Sequence, residues 1–354
     1  MLQIAEVSVT FLRPPPRKLS SKAPFVSEVN WEPLRTVLEE NDSFLITTHV
    51  RPDGDALGSQ RGLAAILESL GKQVAMVNAT APPANLMFMN TDERVKKLGE
   101  GSSRNSVLTS DVSIVVDTSA WQQLGDMTEV LRNSSAKRLV IDHHVSSDDL
   151  QATEFKDTQV AATGQLICEL ADFLGVTPDA DAASWLYVAM ATDTGWFRFP
   201  STSAETMKAA AAMIDCGAQP DDLYCKIHEQ RSLARVHLSG RVLQRLQLEC
   251  DGRLAWISAN QTDLAETNAV SADTEGLVNQ CLTVAGVEAA FIAVELPTNQ
   301  VKCSLRCRPP HNVAAVAETM GGGGHRLAAG ATLSGDLDQA INQIRQAFHQ
   351  MLEL

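Results

Sequence analysis

Short, nearly unbroken apolar runs alternate with amphipathic stretches through the first part of the chain. Ser43-Phe44-Leu45-Ile46-Thr47-Thr48, Gln73 to Asn78, Val112-Ser113-Ile114-Val115-Val116 and Arg138-Leu139-Val140-Ile141 are rich in β-branched and apolar side chains. Such runs suit strands at the centre of a parallel sheet covered on both faces. Helices are predicted between and after them, over Gly58 to Leu70, Thr163 to Leu174 and Ala182 to Ala191. The alternation predicts an α/β fold with a doubly wound, mainly parallel sheet.

After Phe199-Pro200 the pattern changes. Helices are expected near Ala204 to Cys216 and Leu233 to Leu246, then strands over Arg253 to Ser258, Ala289 to Leu296 and Val301 to Arg306. Pro297-Thr298-Asn299-Gln300 turns one strand into the next, and Gly321-Gly322-Gly323-Gly324 leads to a last strand and a helix from about Asp336. The expected division is an N-terminal tail or extra segment (1–24), a larger α/β domain (25–230), a helical linker (231–248) and a smaller C-terminal α/β domain (249–354). A chain of 354 residues agrees with two domains, because single cores stop growing below that size.

Charge narrows the partners. With 29 Lys and Arg against 43 Asp and Glu, the net charge is −14, which argues against a broad grip on long nucleic acid. A short or small anionic substrate remains compatible. The seven cysteines (Cys168, Cys216, Cys225, Cys250, Cys281, Cys303 and Cys307) are scattered, without a C-x-x-C pair, and read as reduced thiols. The apolar patch Val7 to Leu12 precedes Arg13-Pro14-Pro15-Pro16-Arg17-Lys18, the wrong order for a secretory signal. No run is long enough to span a bilayer, so a cytoplasmic protein without membrane association is expected.

The chemistry gathers at element ends. His49-x-x-x-Asp53-x-Asp55 follows the first strand, Asp117 follows Val116, Asp142-His143-His144 follows Ile141, and Asp193 follows a helix. Taken singly, each is ordinary: His49 or Asp53 a cap or turn residue, Asp193-Thr194-Gly195 a common turn, Asp117 a helix cap, His143-His144 a surface pair. Together they lie where ligands bind an open parallel sheet, outside the carboxyl ends of its strands. Carboxylates crowded there repel unless a cation joins them. Oxygen-rich sites with some imidazole suit Mn²⁺ or Mg²⁺, and two such ions sharing one carboxylate suit displacement at phosphorus.

These motifs resemble the DHH–DHHA1 phosphoesterase family, from about residue 35 to the end. The first motif is His49-x-x-x-Asp53-x-Asp55-x-x-Gly58-Ser59; Asp117, Asp142-His143-His144 and Asp193-Thr194-Gly195 supply the next three. Ser304-Leu305-Arg306 and Gly321-Gly322-Gly323-Gly324-His325-x-x-Ala328-Ala329-Gly330 match the C-terminal signature, with Cys307 where close relatives commonly carry serine. The resemblance implies two divalent ions, Mn²⁺ foremost, one held by His49, Asp53 and Asp117 and the other by Asp55, Asp117, His143 and Asp193. It implies His144 facing the scissile phosphate, with Asp142 orienting an imidazole. Arg306, Gly322, Gly323, Gly324 and His325 would bind a phosphate or base, and Arg198 is a further candidate contact.

Compact two-domain members of the family degrade very short RNA oligonucleotides and remove the 3′-phosphate of adenosine 3′,5′-bisphosphate. The resemblance implies that activity first, and a possible homodimer. Hydrolysis of linear or cyclic dinucleotides, short single-strand exonuclease action and a nucleotide-binding protein without turnover follow as alternatives.

Overall fold

The structure, a computed structural model, describes residues 28–100, 107 and 109–353. The N-terminal segment 1–24 lies outside these residues. The chain divides into two compact units, Met1–Gln230 and Arg231–Leu354.

In the first unit the elements run α1 (Glu32–Glu40), β1 (Ser43–Thr47), α2 (Gly54–Ser69), β2 (Gln73–Asn78), β3 (Val95–Lys97), β4 (Val112–Val116), α3 (Met127–Asn133), β5 (Lys137–Asp142) and β6 (Thr153–Lys156). Four helices follow: α4 (Thr163–Leu174), α5 (Ala180–Asp193), α6 (Ala204–Asp215) and α7 (Pro220–His228). The six strands form one parallel sheet ordered β3-β2-β1-β4-β5-β6. Alternating side chains divide its core. Ile46, Ile114, Val116 and Ile141 pack with Leu57, Leu166 and Leu186 of α2, α4 and α5. Leu45, Val115 and Val140 pack with Met127, Val130 and Leu131 of α3 on the other face. All of β4 is buried, as its apolar run requires. The strand order reverses between β1 and β4, and that junction is the ligand crevice of a doubly wound sheet.

Helix α2 begins at Gly54, a turn before the predicted start at Gly58. Asp53, expected as a cap or turn residue, is the cap: its carboxylate accepts the Ala56 amide at 3.0 Å. Asp55 therefore stands in the first helical turn. Gly54, Gly58 and Gly62 repeat at one-turn spacing and bring α2 against α5. A Cβ on Gly58 would overlap the carbonyl oxygen of Trp185 and lie 2.9 Å from Ala189 Cβ; one on Gly54 would overlap Thr192 and one on Gly62 would overlap Leu186.

The second unit runs α8 (Leu233–Leu243), β7 (Gln247–Glu249), β8 (Leu254–Ala259), α9 (Gln261–Thr267), α10 (Val278–Cys281), β9 (Ala289–Leu296), β10 (Gln300–Cys307), α11 (Val313–Glu318), β11 (Gly323–His325), β12 (Ala328–Ser334) and α12 (Leu337–Glu353). Its sheet is ordered β11-β12-β10-β9-β8-β7 and is antiparallel except for β8 against β9. Phe291, Val301 and Leu305 pack with Ile344 and Phe348 of α12 on one face. Ile257, Ile292 and Val294 pack on the other with Leu238 and Val242 of α8, so the helix read as a linker is packed into this unit. Lys302, Ser304 and Arg306, in register with Val294, Ile292 and Ala290, are left partly or fully exposed on the same face.

Candidate metal centre

Three strand ends, the start of α2 and the end of α5 build the centre in the first unit. His49 follows β1, Asp117 follows β4, Asp142 ends β5 with His143 and His144 just beyond, and Asp193 ends α5. Asp117 takes a left-handed backbone conformation, φ 62°, and its amide donates to Ile141 O at 3.0 Å. That turn bends the chain off the sheet edge and presents the carboxylate to its neighbours. Aspartate is one of the few residues besides glycine that visits this region readily.

The ligand atoms fall into linked triads. His49, Asp53 and Asp117 form one; Asp55, His143 and Asp193 a second; Asp117, His143 and His144 a third. Within each, the donor atoms all lie within 4.8 Å of one another. His49 Nδ1 is 3.0 Å from the Val50 carbonyl, which fixes the proton there and turns Nε2 toward Asp117 Oδ2 at 3.4 Å and Asp53 Oδ1 at 3.9 Å. His143 Nδ1 faces the Val160 carbonyl at 3.4 Å. Its Nε2 looks at Asp193 Oδ2, Asp117 Oδ1 and Asp55 Oδ2 at 3.4, 3.6 and 3.7 Å. A backbone carbonyl on one ring nitrogen and oxygen ligands around the other is the arrangement of metal-binding histidines.

Whether these residues fit a divalent cation can be judged from their electrostatics. His143 Nε2 is buried and has no hydrogen-bond partner. Burial first, then the neighbouring carboxylates, push Asp55 and Asp117 well above the usual carboxylate range. Asp193 is raised to about 6 by burial and by Asp53. A cation would satisfy the orphaned imidazole nitrogen and remove that repulsion, so the donor set fits.

Supporting contacts hold the carboxylates in place. Asp55 accepts the Thr163 amide at 2.7 Å, the Gly164 amide at 2.9 Å and the Ser59 hydroxyl at 2.9 Å, sitting on the N-terminus of α4. Thr163 Oγ1 also donates to Asp117 Oδ1 at 3.0 Å, tying two triads together. Asp142 is fully buried and bonds His144, whose Nδ1 is 2.8 Å from Oδ1 and whose amide donates at 3.1 Å. Burial acts upward on Asp142, but these bonds and the Ser119 hydroxyl outweigh it and hold its pKa at about 2. The same bond raises His144, while burial and the adjacent His144 lower His143.

Sequence reasoning passed over Thr163, Ser119 and Lys156. Thr163-Gly164 opens a predicted helix, and an anion at a helix N-terminus was the available signal. Arg198 does not join the cluster; its Nε donates to Gly195 O at 2.8 Å on the exposed turn after α5.

Arg306, Gly322, Gly323, Gly324 and His325 belong to the second unit. A cavity of about 430 Å³ opens there, lined in part by Lys302, Ser304, Gly322, Gly330 and Thr332. Arg306 stands on the same strand face, its Nη1 donating to Leu305 O at 2.9 Å. Two glycines of the run have a packing role. A Cβ on Gly322 would overlap Gly330 O, and one on Gly324 (φ 147°) would lie 2.6 Å from Ala329 Cα, whereas Gly323 faces open space.

A model of the DHH family, N-terminal domain, matches residues 43–190, and one of the DHHA1 domain matches residues 261–353. A bifunctional oligoribonuclease and PAP phosphatase from Thermus thermophilus is 32% identical over 91% of this chain and 95% of its own length. The chain belongs to the DHH family. As a DHH-family enzyme it is a metal-dependent phosphoesterase, a hydrolase. The bifunctional oligoribonuclease and PAP phosphatase of Bacillus subtilis is 28% identical over 82% of this chain and 90% of its own. The crystal structure of an exopolyphosphatase-related protein from Bacteroides fragilis superposes with TM-score 0.83 at 26% identity, covering 93% of this chain and 98% of that one. Among the described residues, no helix is long and apolar enough to cross a membrane.

Proposed function

We propose that this DHH-family enzyme hydrolyses very short RNA oligonucleotides to mononucleotides and removes the 3′-phosphate from adenosine 3′,5′-bisphosphate, with manganese as its ion and the cytoplasm as its place of work. The observation that carries the reading is the set of triads linked through Asp117 and His143. Similarity over nearly the full length of relatives with that pair of activities in their names supports the substrate.

In this reading His49, Asp53 and Asp117 hold one ion, and Asp55, Asp117, His143 and Asp193 the other. Divalent ions bound there supply Lewis-acid charge at a phosphoryl oxygen and lower the pKa of water. The rest is done by the chain. Asp142 fixes His144 with the proton on Nδ1, which leaves Nε2 to hold or hand over a proton at the scissile phosphate. Thr163 and the α4 amides keep Asp55 and Asp117 oriented so that little reorganisation accompanies turnover. In the second unit, Arg306, the amides of Gly322, Gly323 and Gly324, and His325 bind the phosphate or base of the nucleotide. Arg198 is a further candidate contact to the substrate. The net charge of −14 favours a short substrate, held by a few local donors.

The experiment is a rate comparison with Mn²⁺ on four substrates: a two-residue RNA, a longer RNA, adenosine 3′,5′-bisphosphate and a cyclic dinucleotide. Fastest release is expected from the two-residue RNA and the bisphosphate. No phosphate or mononucleotide from any of the four would overturn the proposal. A clear preference for the cyclic dinucleotide would replace its substrate.

A further inference from the structure

The most extended polar network beside the metal centre lies behind His144. Asp142, at the end of β5, turns one carboxylate oxygen toward His144 and the other away. Oδ1 meets His144 Nδ1 at 2.8 Å and the His144 amide at 3.1 Å. Oδ2 accepts the Ser119 hydroxyl at 2.6 Å and lies 3.2 Å from Lys156 Nζ. Lys156, the last residue of edge strand β6, also donates to Ser119 Oγ at 2.7 Å and to Ser146 O at 2.9 Å.

An ammonium group has three donors. Here the Ser119 hydroxyl oxygen and the Ser146 carbonyl accept two of them, the Asp142 carboxylate is the ion-pair partner at 3.2 Å, and the Lys156 side chain is only 14% exposed. Lys156 is thus committed to Ser119, Ser146 and Asp142, and its reach ends at the carboxylate that orients His144. Removing it would leave a fully buried carboxylate without its cation, held only by Ser119 and by the amide and ring of His144. His144 itself is 48% exposed on its side chain; the His143 ring lies edge-on to it at 4.5 Å, and Asp142 is its hydrogen-bond partner.

We propose that Lys156, acting with Ser119, is a positioning residue: it locks the Asp142 carboxylate so that His144 is held with its proton on Nδ1 and Nε2 presented outward. Neither residue is among the candidate ion ligands. The catalytic part of the inference rests on the phosphoesterase reading above; the structural part does not.

Two measurements on Lys156→Met, Lys156→Arg and Ser119→Ala test it. In the metal-free proteins, long-range ¹H–¹⁵N spectra at one fixed pH report which ring nitrogen of His144 carries the proton. The wild type is expected as a single Nδ1–H form, and Lys156→Met as a mixture with broadened ring signals. Identical His144 signals in wild type and Lys156→Met would overturn the proposal, whatever the activity. With Mn²⁺ and the two-residue RNA, kcat is expected to fall about 10–100-fold in Lys156→Met and less in Ser119→Ala, with KM and bound manganese unchanged. Lys156→Arg, which keeps the cation, is expected to recover part of the loss. A kcat for Lys156→Met within twofold of wild type, or a loss matched by lost manganese, would overturn it. Ser119→Ala removes one hydroxyl from a structured loop, so it carries both measurements if Lys156→Met fails to fold. An inert wild type counts against the phosphoesterase reading instead, and the spectra still decide the inference.

Discussion

Replacing Gly58 with alanine places a methyl group into the contact between α2 and α5. The obstacle is the Trp185 carbonyl oxygen, with Ala189 Cβ at 2.9 Å beside it, and backbone of a buried helix cannot swing aside as a side chain can. Overpacking of this kind costs about 1–3 kcal/mol, and the backbone partner puts Gly58→Ala at the upper end. Alanine returns about 0.5–1 kcal/mol of helix propensity. The net loss is about 2 kcal/mol, which for a unit of this size lowers the melting temperature by roughly 4–8 °C. The displacement also acts on the metal centre, because α2 carries Asp55 and α5 carries Asp193, both in one triad. Calorimetry of the metal-free protein, following the transition of the first unit, measures the stability term, and Mn²⁺ titration measures the second. Gly240→Ala is the control: it lies inside α8, its Cβ would meet nothing within 4 Å, and alanine there is expected to raise stability by about 0.5–1 kcal/mol. A Gly58→Ala protein that melts with or above wild type would refute the argument that close helix approach requires this glycine.

Three further outcomes follow from the same geometry. In the metal-free protein, Asp193 is raised to about 6, and Asp55 and Asp117 also lie well above the usual carboxylate range. Acids with a raised folded pKa stabilise below their unfolded value and lose that contribution as pH rises, so the melting temperature should fall from about pH 4 through pH 6 and above. Saturating Mn²⁺ should reverse this, adding about 2.7 kcal/mol at roughly one hundred times Kd; a melting curve indifferent to the ion would contradict the site. Asp117→Asn and Asp117→Ala should both abolish turnover, but only the alanine variant should also lose stability, by about 1 kcal/mol, since asparagine tolerates positive φ. Paired thermal melts separate the two. Gly322→Ala should destabilise the second unit and raise KM, whereas Gly323→Ala should leave the melt unchanged, because its Cβ meets nothing.

Much of the first unit was legible because its strands are short apolar runs whose ends carry the chemistry. Asp117 and Asp142 could be placed at one sheet edge from sequence because β4 and β5 are nearly continuous apolar segments and parallel strands share an edge. Edge strands were harder. β6 (Thr-Glu-Phe-Lys) buries only Phe155 and carries no apolar run, so Lys156 gave no sign of meeting Asp142. β3 has three residues, too few for a period. The start of α2 was misplaced because Asp-Gly serves turns and helix caps alike, and only the Ala56 amide distinguishes them. In the second unit, the glycine run was read through ligand approach, whereas Gly322 and Gly324 are also demanded by the closeness of β12, the next strand of the same hairpin.

The left-handed backbone at Asp117 bears on how this enzyme can change over generations. Few side chains are accepted there without strain: aspartate, asparagine and glycine foremost. Asparagine and glycine each differ from aspartate by a single-base change in the codon. A lineage released from selection for turnover thus has an easy path at this position that leaves the sheet edge intact. Its descendants would keep the fold and carry Asn or Gly after the fourth strand, while retaining His49, His143 and the glycine-rich face of the second unit. Substitution at this position is therefore the mark by which a nucleotide-binding descendant without catalysis could be told from a working hydrolase.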